Sequence, residues 1–324
     1  KAVNDKAVSG EKPQFVFIAC FEKADSTAYA VFNASNNGIA GNYGNKYVKS
    51  IIIPGKAVAG TNSTVIPLPA VSPVYETKNV LIGYSGYVST GENPSAFGVK
   101  DSVTSFNADI VSYKYTITFY NGSDVNGIFY YGGDSQTSSD SIETGLVAFS
   151  YNGVAYKHTN GITLTGDALK AFNNILYPAK DGYKVTQWKD TDGNVMLDNI
   201  KVERNDDKTV KSSSYEVKFK KISSDMSFYA GFESQKYTIV YNSNIAASPN
   251  PMTQTGYVDE SLKLLGEATF NNDGYKLVSW NTRADGEGTS YKVGESFSIN
   301  GSAYEKLDKI NANDKGFTLY AIWE

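Results

Sequence analysis

The chain has one cysteine, Cys20, and one histidine, His158. A single cysteine excludes any disulfide within the chain, so stability must come from buried apolar surface; it is mainly small secreted domains that depend on such staples. A single histidine excludes a two-histidine zinc site built by one chain. Cys20 stands in a strand-like run, opposite Phe17, Ala19 and Phe21, and reads as an inert thiol rather than a nucleophile. His158 lies among Tyr156, Lys157, Thr159 and Asn160 and reads as a hydrogen-bonded or solvated residue of a loop or strand edge, not as a general base.

Positive charge is also scarce in any concentrated form. Lys and Arg number 30 against 34 Asp and Glu, giving a net charge of -4. No basic stripe of the kind that tracks nucleic acid is present. The densest basic patch, 218–221, reads as a solvated strand face. No apolar run approaches the ~18 residues of a membrane-spanning helix. The chain opens Lys1-Ala2-Val3-Asn4-Asp5 without a signal-peptide pattern, as a processed chain or a fragment would. No glycine-rich loop opens a helix as a phosphate site requires. The expectation is a protein with no catalytic residues, no cofactor, no metal, no nucleic-acid partner and no membrane insertion.

What the chain does contain is aromatic strand sequence. It carries 24 Tyr and 16 Phe and is 41% hydrophobic over 324 residues, enough for cores throughout. Short alternating runs lie between Gly, Asn, Ser and Thr turns, the pattern of strands and hairpins. One helix is predicted near 166–176. Thr165 is a possible cap, the apolar residues have helical spacing, and Pro178 is a stop. The predicted class is all-β with a minor α insertion.

Internal repeats organise the strands. A closing strand recurs without gaps as Phe-Thr-Leu-Tyr-Ala-Ile-Trp-Glu (317–324), Met-Ser-Phe-Tyr-Ala-Gly-Phe-Glu (226–233) and Phe-Val-Phe-Ile-Ala-Cys-Phe-Glu (15–22). Positions one, three, five and seven share one face of a strand. Opening strands follow at Tyr29–Phe32, Tyr115–Phe119 and Tyr237–Tyr241. A middle element ends on an aromatic anchor: Gly274–Trp280, Gly182–Trp188 and, eroded, Val80–Tyr84. Trp188, Trp280 and Trp323 are the expected structural anchors. The predicted segments are 1–26, with an orphan closing strand at 15–22; a degenerate first repeat, 27–112; a second, 113–234, with the helical insertion; and a third, 235–324.

The third repeat resembles a Listeria–Bacteroides repeat, the group that includes the B-repeat of internalin-type surface proteins. The matching residues are Tyr237-Thr238-Ile239-Val240-Tyr241, Gly274-Tyr275, Trp280-Asn281-Thr282, Ala284–Tyr291 with Gly294, and Leu319-Tyr320-Ala321-Ile322-Trp323. The second repeat matches in part and the first weakly. The resemblance implies a β-grasp-like fold, an extracellular cell-surface location and a spacer or adhesive role.

Three motifs invite more specific chemistry. Asp190-Thr191-Asp192-Gly193-Asn194 resembles part of a calcium loop, but the twelfth residue is Lys201 where a bidentate glutamate would be needed. A hairpin turn is the simpler reading. The tyrosines could stack on sugars, though strand packing accounts for them as well. The orphan strand at 15–22 precedes any opening strand. It is a remnant of a preceding repeat, or it completes the first repeat, or it completes a repeat in a second copy of the chain by strand addition. In that last case Phe15, Phe17, Ala19 and Phe21 form the partner-binding face, and the chain is a filament or surface-layer subunit assembling head to tail. The remaining alternative partner is a host or glycan ligand.

Overall fold

The computed structural model describes residues 78–85, 103–136, 141–245, 251–311 and 314–324. Ahead of these it describes the backbone of short strands at 29–33, 38–39, 41–43, 46–48, 50–54, 56–57, 64–65, 74–75 and 96–97. The segment 1–26, with Cys20 and the strand expected over 15–22, lies outside the described residues. The protein is all-β with minor helix.

Alternation builds the opening strands. In Tyr115–Asn121 the side chains of Ile117 and Phe119 are fully buried; in Lys236–Asn242 those of Tyr237, Ile239 and Tyr241 are. Each opening strand pairs in parallel with the closing strand of its own repeat. Ile117 faces Met226 and Phe119 faces Phe228. Ile239 faces Phe317 and Tyr241 faces Leu319. In the first repeat Tyr29–Asn33 pairs with Val103–Ser112, so that Phe32 faces Phe106. Phe32 therefore holds the place of Phe119 and Tyr241.

The middle strands Asn79–Ser85, Tyr183–Lys189 and Leu277–Asn281 run antiparallel to the closing strands on their other side. A hairpin partner flanks each opening strand: Ser50–Pro54, Asp124–Tyr131 and Met252–Tyr257. Each sheet has the mixed β-grasp order, with first and last strands parallel at the centre and antiparallel strands on both flanks.

Between the second and third sheet strands of the middle repeat come a hairpin and a helix. Strands Leu146–Tyr151 and Val154–Lys157 are joined by Asn152 and Gly153, both at positive φ (49 and 77). This Asn-Gly turn matches strand twist. The helix Gly166–Leu176 buries Ala171, Phe172, Ile175 and Leu176, an i, i+1, i+4, i+5 stripe. Phe172 stacks on Phe129 of the sheet at 5.1 Å. Thr165 holds the cap position in extended conformation, but its side chain makes no capping bond. At the other end the Arg204 guanidinium donates to the Tyr177 and Lys208 carbonyls.

A second, shorter helix, Gly301–Glu305, and a 3-10 turn, Glu267–Thr269, were not anticipated. The helix is held locally: Asn300 Oδ1 accepts from the Ala303 N–H at 2.8 Å. The patch 218–221 is not one strand face; Lys218–Lys220 connects the strands Val210–Val217 and Lys221–Ile222.

The chain divides into two compact units. The first comprises Lys1–Tyr115, Tyr130–Asp134 and Gly145–Ile162; the second comprises Thr116–Phe129, Ser135–Thr144 and Thr163–Glu324. The second unit thus holds the whole of the third repeat and most of the second.

Candidate functional site

In each repeat the middle and closing strands meet at an aromatic residue opposite an alanine. Trp188 faces Ala230, Trp280 faces Ala321, and Tyr84 faces Ala108. Both tryptophans are fully buried and Tyr84 nearly so. An alanine leaves room for the large ring across the ladder, where directly opposed side chains meet. The indole N–H groups are satisfied by backbone: Trp188 donates to the Leu176 carbonyl at 3.0 Å and Trp280 to that of Leu265 at 2.8 Å. Around Trp188, Phe119 packs edge-on at 4.9 Å and also meets Phe228 edge-on at 5.5 Å. Tyr241 meets Trp280 at 4.7 Å.

The same local distortion precedes every anchor. The middle strand carries one residue skipped by the ladder: Ile82, Thr186 and Val278. Such a bulge re-aims the residues that follow it. Four positions before each bulge the backbone takes positive φ, at Lys78 (70), Gly182 (74) and Gly274 (84). Glycine adopts this freely; Lys78 does so at a steric cost.

Successive repeats join strand to strand. Gln235 alone separates the closing strand Met226–Ser234 from the opening strand Lys236–Asn242. Its N–H donates to the Gly182 carbonyl at 2.8 Å, and its carbonyl accepts from Val258 at 3.0 Å. In the first unit, Tyr113 makes the corresponding bond to Lys78, also at 2.8 Å. The second and third repeats are further tied by Tyr183, whose hydroxyl donates to Asp259 Oδ2 at 2.7 Å, and by the Gly182 N–H, which donates to Glu305 Oε1 at 3.2 Å. Gly182 and Gly301 approach too closely for side chains: a Cβ on Gly301 would sit 2.0 Å from the Asp181 carbonyl oxygen.

The acidic loops are turns closed on themselves. Asp190 Oδ1 accepts from the backbone of Asp192 (3.0 Å) and Asn194 (2.8 Å), and Oδ2 from the Asn194 amide (2.9 Å). The Asn194 side-chain amide, then these backbone bonds, hold the Asp190 carboxyl below its usual value. No group of three His, Cys, Asp or Glu able to hold a metal occurs among the described residues. His158 is buried, its Nδ1 3.1 Å from the Leu146 carbonyl oxygen. A carbonyl only accepts, so Nδ1 carries the proton there.

Trp323 is half-buried beside the core of the third repeat and donates to the Ser243 carbonyl at 2.8 Å. Phe15, Phe17, Ala19 and Phe21 lie outside the described residues. Asn281 was overlooked as a structural residue. It is fully buried, and its Oδ1 accepts from Arg283 and Gly288 while its Nδ2 donates to Gly286 and Ser290, at 2.8–3.0 Å. The signal was present: an asparagine directly after an anchor tryptophan, before a glycine-rich turn.

No protein-family model matches the chain. It is similar to two proteins of Evansella cellulosilytica. One, named "Putative membrane protein", is 27% identical over 103 residues, or 32% of this chain and 14% of that protein. The other, named "Putative Gly-rich membrane protein", is 29% identical over 101 residues, or 31% of this chain and 10% of that protein. The chain therefore spans a small fraction of these relatives. No helix among the described residues is long and apolar enough to cross a membrane.

Proposed function

We propose that the chain is a non-catalytic extracellular spacer at a microbial surface, built of tandem repeats of the Listeria–Bacteroides type. The observation that carries this reading is the recurrence of one sheet plan. A parallel central pair, a bulged middle strand and an aromatic–alanine contact appear three times in chain order. Repetition with a one-residue joint at Gln235 leads the chain from one repeat straight into the next. The two relatives named as membrane proteins are much longer, and a spacer segment of a larger surface protein fits that proportion.

The test is protease treatment and antibody labelling of intact cells that make the protein. Labelling without permeabilisation, with release of fragments of this chain, is the expected result. A chain detectable only after lysis would end the surface reading. Turnover of a polysaccharide or peptide, abolished by one carboxylate substitution, would end the non-catalytic one.

A further inference from the structure

We propose that each repeat is a tension-bearing clamp: the chain resists being pulled along its length because its central strands are loaded in shear. This rests on the spacer reading for its biological setting, but its physical argument is independent of location.

In the third repeat the chain enters on the opening strand at Lys236 and leaves from the closing strand after Trp323. The two strands are neighbours and parallel, with Thr238 beside Gly316 and Asn242 beside Tyr320. The end at which the chain enters therefore lies beside the start of the closing strand, and the exit lies at the far end. Tension along the chain pulls the strands past one another instead of apart. The evenly spaced bonds of a parallel ladder then share the load at once. A hairpin pulled from its open end gives up its bonds one by one.

The second repeat has the same geometry, with Ile117 to Tyr120 beside Met226 to Tyr229. So has the first, with Tyr29 to Asn33 beside Val103 to Asn107. Sliding must also drag interlocked rings across each other. Phe119 lies edge-on to both Phe228 and Trp188. On the far side, the antiparallel middle strand grips the same closing strand through its bulge. The joint at Gln235 offers almost no slack, so load passes from one closing strand straight into the next opening strand.

Forced unfolding is governed by the unfolding rate, so the direction of pull is the discriminating variable. The full chain, with Cys20→Ser, is tethered through cysteines in single-molecule force spectroscopy. Glu233→Cys with Glu324→Cys loads the third repeat in shear. Glu233→Cys with Lys309→Cys pulls both central strands from the same end. All three positions are exposed. The expected result is a rupture force several-fold higher for the first pair. Equal forces, or a lower force for the first pair, would overturn the clamp. The unsubstituted chain, held by tags at its two ends, should give a series of tall rupture peaks; rupture at the same-end force would likewise overturn it. A chain found inside cells would defeat the spacer reading and leave the force asymmetry intact.

Discussion

Gly182 and Gly301 meet across the seam between the second and third repeats, with a Cβ on Gly182 only 2.7 Å from the Gly301 Cα. Gly301 opens a helix, where alanine is intrinsically better by about 1 kcal/mol. Yet its added methyl would strike the Asp181 carbonyl, which cannot rotate away as a side chain can. Gly301→Ala should therefore destabilise by about 1–3 kcal/mol, the range for overpacking. It should also loosen Gln235, whose amide bond to Gly182 crosses the same seam. Denaturant titration with amide exchange at Gln235 checks both; an unchanged midpoint would mean the seam yields.

The anchor tryptophans give a second test. Trp280→Ala should cost about 3–5 kcal/mol as a large-to-small core change. Enlarging its partner, Ala321→Leu, should also destabilise, because the alanine makes the space the indole fills. Chemical denaturation of each variant reads the loss. A substitution at Trp280 that leaves the midpoint in place would contradict its role.

Much of this was legible in the sequence, and what was missed has a common cause. Alternation and tryptophan spacing reveal strands because they are local properties. That Ala230 and Ala321 recur was visible, but that each faces an indole was not. Cross-strand register is a relation between distant segments. Tyr84 could be picked out as the eroded counterpart of the tryptophans, but the bulge at Ile82 and the left-handed Lys78 that it shares with them could not. The helix Gly301–Glu305 is too short to show periodicity and exists by its Asn300 cap and tertiary packing.

Two tyrosines in one strand should respond oppositely to loss of their hydroxyl. The Tyr237 hydroxyl is buried without a hydrogen-bond partner among the described residues. The Tyr241 hydroxyl donates to Gln254 at 2.7 Å, and burial pushes its pKa up to about 12. Tyr237→Phe should be neutral or stabilising by up to about 1 kcal/mol, and Tyr241→Phe destabilising by about 1 kcal/mol. Thermal melts of the pair decide it, and equal losses would refute the distinction.

Acid should weaken the protein through three carboxylates whose pKa values are all held low in the folded state. Asp190 is lowered first by the Asn194 side-chain amide, Asp285 by the Glu287 N–H, and Asp314 by Lys236. Because folded values lie below the ordinary 3.8, the folded state binds fewer protons. Their contribution is complete above that value and is lost as pH falls through the folded ones. The Lys236–Asp314 part should also fade with added salt, while the amide-held part of Asp190 persists. Melting midpoints followed downward from about pH 5, for the unsubstituted chain and for Asp190→Asn and Asp314→Asn, separate the two.

Lys78 sits at φ 70 where the other repeats have Gly182 and Gly274. Left-handed backbone costs a residue with a Cβ about 1–2 kcal/mol, part of which glycine returns as greater unfolded-state freedom. Lys78→Gly should therefore stabilise by about 0.5–1 kcal/mol, read from the denaturation midpoint. A loss would mean that the Lys78 ammonium over the Tyr113 ring, 5.5 Å from its centroid, outweighs backbone strain.

The joint at Gln235 also sets a counting rule. Phe119 lies as many positions after Ala108 as Tyr241 lies after Ala230, and that offset is odd. Side chains alternate along a strand, so this parity decides whether Tyr237, Ile239 and Tyr241 face their core or the solvent. One codon added between Ser234 and Lys236 would invert all three unless the joint absorbed it as a bulge. Length is therefore free to vary within a repeat, as between Asp124–Tyr131 and Tyr183–Lys189 where the second repeat carries its hairpin and helix, but is held fixed at the seam.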